Sequence, residues 1–174
     1  MALDLAAAQT SLRRTPAVLD ALLRGLSEAS VHENEGPDTW SSFDVVGHLI
    51  EAEETNWIPR IRYLIAHGES AVFPPFDRFG FVEKWKGQRM TELLDAFANA
   101  RERSLRDLGE LRLTLADLGR RGRHPDFGAV TLAQLLATWM VHDLNHIGQI
   151  VDVLARRHTE SVGPWRAFLG ILDR

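Results

Sequence analysis

At 174 residues, with 45% hydrophobic and 25% charged side chains, the chain has the size and composition of one ordinary globular domain, able to bury a core without disulfides or a structural metal. A net charge of −4 with scattered Lys and Arg argues against a nucleic-acid partner, and no apolar run reaches the ~18 residues of a membrane span. The absence of cysteine excludes disulfides, thiolate zinc sites, iron–sulfur clusters and a cysteine nucleophile together, so any metal must be held by His, Asp or Glu.

The opening Met1-Ala2-Leu3-Asp4-Leu5 carries an early acid and no basic stretch leading into an apolar one, so it reads as no signal peptide, and the expectation is a soluble cytoplasmic protein of one domain over 1–174. Leu12, Leu19, Leu22, Leu23 and Leu26 then recur at helical spacing, predicting a first helix over roughly Leu3 to Ser27, interrupted by Pro16. Glu33 to Asp38 is turn chemistry. Ser41, followed three residues later by Asp44, resembles a capping box and opens a second helix, expected to run to about His67 with a bend at Pro59.

Gly68 to Gly87 holds Phe73, Pro74, Pro75, Phe76, Phe79, Phe81 and Trp85, too long for a tight turn and too aromatic for a free linker, and should fold over the bundle. A third helix over about Gln88 to Leu108 places Met90, Leu93, Leu94, Phe97, Ala100 and Leu105 on one side and an Arg/Glu-rich remainder on the other. The Arg- and Gly-rich stretch Gly119 to Gly128 shows no β-hairpin signal. Thr131-Leu132-Ala133-Gln134 is a second capping box, so the fourth helix starts at about Leu132 and runs to Arg157 or His158. A last short helix is expected around Gly163 to Leu172, with Pro164 in its first turn. The pattern is all-α.

The chemistry concentrates in Val141-His142-Asp143-Leu144-Asn145-His146-Ile147-Gly148-Gln149 of the fourth helix. Residues four apart stack on one helical face with Cβ atoms roughly 6 Å apart, so two imidazoles can meet one ion at about 2.1 Å. On the helical wheel His142 and His146 share a sector of about 80° with Leu135, Trp139, Ile150 and Val153, and both look inward. An inward pair is also what two hydrogen-bonded core histidines look like, so the pair alone does not make a site. The zincin pattern His-Glu-x-x-His needs a glutamate where Asp143 stands, so a metalloprotease is not supported.

A third ligand could come from His32, His48, His67, His124, His158 or an inward carboxylate, and composition does not choose. Periodicity places His48 opposite the apolar stripe Phe43, Val46, Ile50, Trp57, Ile61 and Leu64, on the exposed side of its helix. Asp143 lies within the apolar arc of helix four, where an unpaired carboxylate is costly, and is expected to meet an Arg, a Trp N–H or a histidine, a buried salt bridge first among these. Glu53 interrupts the stripe of helix two, either at its edge or near the site as an acid or base. Gln149 lies on the histidine sector. Leu136, Met140, Leu144, Ile147, Val151 and Leu154 widen the apolar arc of helix four to about 180°, more than a surface helix needs, which predicts a second subunit or several neighbours.

Trp40-Ser41-Ser42-Phe43-Asp44-Val45-Val46-Gly47-His48-Leu49 resembles the "W-S-x-x-x-v-x-x-H-L" segment of the DinB/YfiT-like (DUF664-type) superfamily, and Val141 to Gln149 resembles its H-x-x-x-H-x-G-Q helix. The likeness extends over essentially the whole chain in helix order and spacing, although the middle third carries no distinctive motif. It implies an up-down-down-up four-helix bundle with a long aromatic loop between helices two and three. It also implies a divalent metal on His48, His142 and His146, zinc or nickel foremost, with iron, manganese or copper after them. What the resemblance further implies is an enzyme for a small-molecule substrate: an S-transferase or isomerase using a low-molecular-weight thiol such as mycothiol, bacillithiol or glutathione, or a metal-dependent hydrolase. A water or a thiolate at the open position of the ion would do the chemistry, with Asp143 and Glu53 as candidate supporting residues. The alternative is a non-catalytic, stress-related metal- or ligand-binding bundle acting as a homodimer. Contact with nucleic acid or membrane is not expected.

Overall fold

The computed structural model describes residues 3–173; Met1 and Ala2, part of the opening stretch read for a leader, lie outside the described residues. Helix α1 (Leu5–Leu23) starts where the Asp4 carboxylate accepts the free N–H groups of Ala6 and Ala7. It ends four residues short of the expected Ser27, and a short α2 (Glu28–His32) follows, capped by Ser27. Pro16 stays inside α1. Lacking an N–H, it leaves the Leu12 carbonyl four residues back without its intrahelical donor.

Helix α3 (Ser42–Thr55) opens on the expected capping box, with the Ser41 hydroxyl accepting from the Asp44 N–H and the Asp44 carboxylate from the Ser41 N–H. The second helix is not one bent rod. It breaks at Asn56 and resumes as α4 (Trp57–His67), so the interruption falls three residues before Pro59. The cause is still that proline: its ring clashes with the Thr55 carbonyl and offers it no donor, so the preceding turn gives way.

Helices α5 (Phe81–Lys84), α6 (Met90–Glu110) and α7 (Leu132–Arg156) complete the set, with α7 opened by the Thr131/Gln134 capping box. Two expectations are corrected. Gly119 to Gly128 is not structureless, because Arg121–His124 (β1) pairs antiparallel with Gly128–Thr131 (β2), in register Arg121↔Thr131 to His124↔Gly128. The final segment forms two 3-10 stretches, Gly163–Phe168 and Gly170–Asp173, in place of a short α-helix.

Four helical rods, α1, α3–α4, α6 and α7, form the bundle, with α6 and α7 each touching both α1 and α3. One half of the core gathers Leu12 with Trp57, Ile61, Leu105, Leu108, Leu135 and Trp139; the other gathers Leu19 and Leu23 with Val46, Ile50, Leu93, Phe97 and Ile150. Early α1 and early α7 therefore meet α4, the later part of the second rod, and late α6, which fixes an up-down-down-up order. The segment between α4 and α6 is tied down at both ends: Phe73 is buried and its N–H donates to the Arg123 carbonyl at 2.8 Å, while Phe81 is buried against α3. Among the described residues no helix is long and apolar enough to cross a membrane.

Candidate metal centre

The two core halves meet at a layer of polar side chains. His142 and His146, one turn apart on α7, bring their Nε2 atoms to 3.2 Å, and His48 on the facing α3 brings its Nε2 to 3.1 Å from that of His142. Three ligand atoms thus lie within 4.8 Å of one another. His48 is only 5% exposed, which corrects the wheel's placement of it on the surface. Helix α3 is covered on two sides: its main stripe packs on α6 and shares a core cluster with Leu19 and Leu23 of α1, and the side carrying His48 is closed by α7 and by the aromatic segment before α6. His32, His67 and His158 stay exposed, and His124 sits on the hairpin.

The hydrogen-bond arrangement fits a cation. The His48 Nδ1–H donates to the Arg78 carbonyl at 3.1 Å and the His146 Nδ1–H to Gln149 Oε1 at 2.9 Å, which leaves an Nε2 lone pair on each ring. Both lone pairs face His142 Nε2, an atom that carries at most one hydrogen. His142 Nδ1 is buried with no hydrogen-bond partner, so no tautomer of that ring satisfies every nitrogen. A positive ion among the three Nε2 atoms resolves the conflict. The spacings of 3.1 and 3.2 Å lie close to the edge of about 3.4 Å for a tetrahedron of nitrogens at about 2.1 Å from zinc.

Burial drives the protonation state the same way. It pushes the His48 imidazole down to about 4 and the His142 imidazole down to about 3, the latter helped by the charges of His146 and His48, and it lowers His146 as well. All three rings are neutral near pH 7, the state a metal ligand requires.

Aromatic rings wall the centre. Trp40 lies 4.7 Å from the His48 ring and stacks on His146 at 6.1 Å, Phe76 and Phe81 lie 5.7 and 6.3 Å from His48, and Trp57 meets His142 edge-on at 5.1 Å. The Phe81 contact explains a glycine in mid-helix, because a Cβ on Gly47 would sit 2.6 Å from Phe81 Cδ2. Gly47→Ala should therefore be net destabilising by about 1 kcal/mol, since overpacking of ~1–3 kcal/mol outweighs a helix-propensity gain of about 1 kcal/mol. Thermal unfolding checks this, and a stabilised variant would show that Phe81 is not seated there.

Asp143 and Glu53 are brought together, but on Arg101 of α6. Arg101 grips Asp143 through two nitrogens at 2.6 and 2.9 Å and Glu53 Oε1 at 2.8 Å, and it donates to the Leu12 carbonyl at 2.7 Å, the acceptor that Pro16 leaves free. Thr15 donates to Asp143 at 2.6 Å and Trp139 Nε1 to Glu53 at 2.9 Å. Burial raises the Glu53 carboxyl against the pull of Arg101; burial also opposes the charge on Arg101, but the two carboxylates outweigh it and its pKa is raised. Sequence reasoning missed Arg101 and Thr15, and it held Trp40 only as a motif position without a role at the site. The signal for Arg101 was present, because it stands four residues after Phe97 and four before Leu105, inside the apolar stripe of α6.

The family model of the DinB superfamily matches residues 11–150. Among solved structures, YfiT from Bacillus subtilis, described as a probable metal-dependent hydrolase with an unusual four-helix bundle topology, aligns with a TM-score of 0.74 at 20% identity, over 87% of this chain and 86% of its own. At that identity the likeness speaks to the fold. No curated protein matches the chain.

Proposed function

The chain belongs to the DinB superfamily, and from that premise we propose that it is a metal-dependent enzyme acting on a small molecule at His48, His142 and His146. The observation that carries this is the convergence of three neutral imidazole nitrogens that no tautomer can satisfy among themselves. The cluster contains no carboxylate among the described residues, so three protein ligands would leave a position for substrate. A bound divalent ion, zinc or nickel foremost, would supply Lewis acidity and lower the pKa of a water or thiol held there. The chain's own residues do the rest. Arg78 and Gln149 fix two rings through Nδ1, Trp40, Phe76 and Phe81 keep bulk water off the nitrogens, and Asp143 and Glu53 act at one remove by fixing α3 against α7 through Arg101.

Hydrolysis is the form that the likeness to YfiT supports. Transfer of a low-molecular-weight thiol is favoured by a separate observation: Asp143, the carboxylate next in sequence to His142, is held through both oxygens by Arg101 and by Thr15, so it is not free as a base toward water, whereas an ion deprotonates a thiol without one. The sulfur would come from a co-substrate, since the chain has no cysteine. Val141 and Leu144, both exposed on the outer face of α7, support a homodimer.

The test loads purified protein with zinc or nickel and follows ester and amide cleavage, then conjugation of an aryl halide with and without added thiol. Turnover that metal-free protein lacks is expected. Dependence on thiol assigns transfer, and independence assigns hydrolysis. Full metal occupancy with no turnover in either assay would leave the non-catalytic, ligand-binding bundle in its place.

A further inference from the structure

Arg78 precedes α5, and its two ends meet the centre differently. Its carbonyl accepts from His48 Nδ1 at 3.1 Å. Its guanidinium carbon lies 5.3 Å from the centroid of Trp40 and 5.1 Å from that of Phe79, and the same indole touches both His48 and His146. Stacking on two rings restricts the side chain and leaves its N–H edge free.

Most cations of this acidic chain are paired, Arg24 with Asp20 and Asp95, Arg62 with Asp107, Lys84 with Glu54. Arg78 has no carboxylate within ion-pair distance among the described residues. Its neighbour Asp77 accepts the Phe79 N–H at 2.9 Å. Two exposed apolar side chains lie close by in sequence, Phe79 and Val82, 53% and 48% exposed. A dication on three neutral imidazoles would add to this positive spot, and within the cluster itself no acid balances it.

We infer that Arg78 is the anion-binding residue of the site, and that the substrate is a small organic carboxylate whose charged end docks on Arg78 while its reacting end meets the histidine centre. The planar fork of the guanidinium matches a carboxylate in two parallel hydrogen bonds, which an ammonium cannot do. Phe79 and Val82 would face the apolar body of such a molecule. This inference rests on the metal centre proposed above.

The experiment uses cobalt(II)-loaded protein and a pair of metal-binding probes that differ in one charge, succinate monohydroxamate and butyrohydroxamate, which lacks the terminal carboxylate, followed by the visible absorption of cobalt. Wild-type protein should bind the charged probe about tenfold more tightly, the low end for a hydrogen bond to a charged group, and the preference should shrink as salt rises. In Arg78→Met the preference should fall below about twofold while butyrohydroxamate still binds, which also shows that the variant is folded; Arg78→Lys should keep part of the preference. Equal affinities in wild type, or a preference that survives Arg78→Met, would overturn the role of Arg78. Protein that takes up no cobalt in equilibrium dialysis would overturn the metal centre, and this inference with it; uptake without discrimination overturns only the second.

Discussion

Replacing His48 by alanine is expected to weaken metal binding by more than about 100-fold, beyond the 10–100-fold that loss of an outer-sphere partner causes, while the protein stays folded. The substitution removes one of three converging nitrogens, and two imidazoles on one helix do not hold a divalent ion tightly by themselves. His142→Ala and His146→Ala should behave alike, because the three Nε2 atoms are equivalent corners of one cluster. His67→Ala and His158→Ala should leave metal content unchanged, since both side chains are exposed and away from the cluster. Metal content after dialysis against a limiting metal buffer checks the series. A His48→Ala protein that keeps its full metal content would place the ion elsewhere.

His48 is the informative member because helical periodicity alone misplaces it. A wheel detects the side of a helix that faces one core, and it found that side of α3 in Phe43, Val46 and Ile50, all buried. It has no means of seeing a second layer. The second layer here is α7 together with Trp40, Phe76 and Phe81, all supplied from other parts of the chain, so Val45 and Ala52, beside His48 on the wheel, are fully buried too. The pair His142 and His146 was legible without help, since one helical turn is enough to place two residues on one face. The third ligand became legible only through the resemblance of Trp40 to Leu49 to a family segment.

Other differences have equally local causes. The capping boxes at Ser41 and Thr131 were legible because they are complete within four residues and both close as expected. The hairpin was not, because β1 reads Arg-Gly-Arg-His, and its one buried position is Gly122, which has no side chain to show alternation. The break in the second helix was assigned to the right proline and the wrong turn. Arg101 was read with its charged neighbours as solvent-facing, although its spacing from Phe97 and Leu105 places it inward. A charge inside an apolar stripe signals a buried partner, and both partners, Asp143 and Glu53, had been singled out without the cation that joins them.

Arg101→Met should destabilise the protein by ~3–5 kcal/mol, the cost of leaving buried carboxylates without their cation, a large part of the ~5–15 kcal/mol that holds an ordinary domain folded. Arg101 is 1% exposed and reaches all four rods: Leu12 on α1, Glu53 on α3, Asp143 on α7, and its own α6. Methionine fills most of the volume, so the loss is electrostatic more than steric, and the companion change Asp143→Asn should recover part of it by removing one of the stranded charges. Lysine should fall between, because an ammonium cannot hold both oxygens of Asp143 and Glu53 in one plane. Urea unfolding gives these energies. The same variants carry a second readout that a purely structural ion pair, remote from the site, would not move. The hub joins α3, which carries His48, to α7, which carries His142 and His146. Metal affinity should therefore fall ~10–100-fold in the still-folded fraction, as for loss of an outer-sphere partner, and Asp143→Asn should not restore it, because the bridge between the two helices is still missing. An Arg101→Met protein within about 1 kcal/mol of wild type, inside the ordinary range for a single substitution, would mean that water reaches the two carboxylates and that the bundle is held by its apolar halves alone.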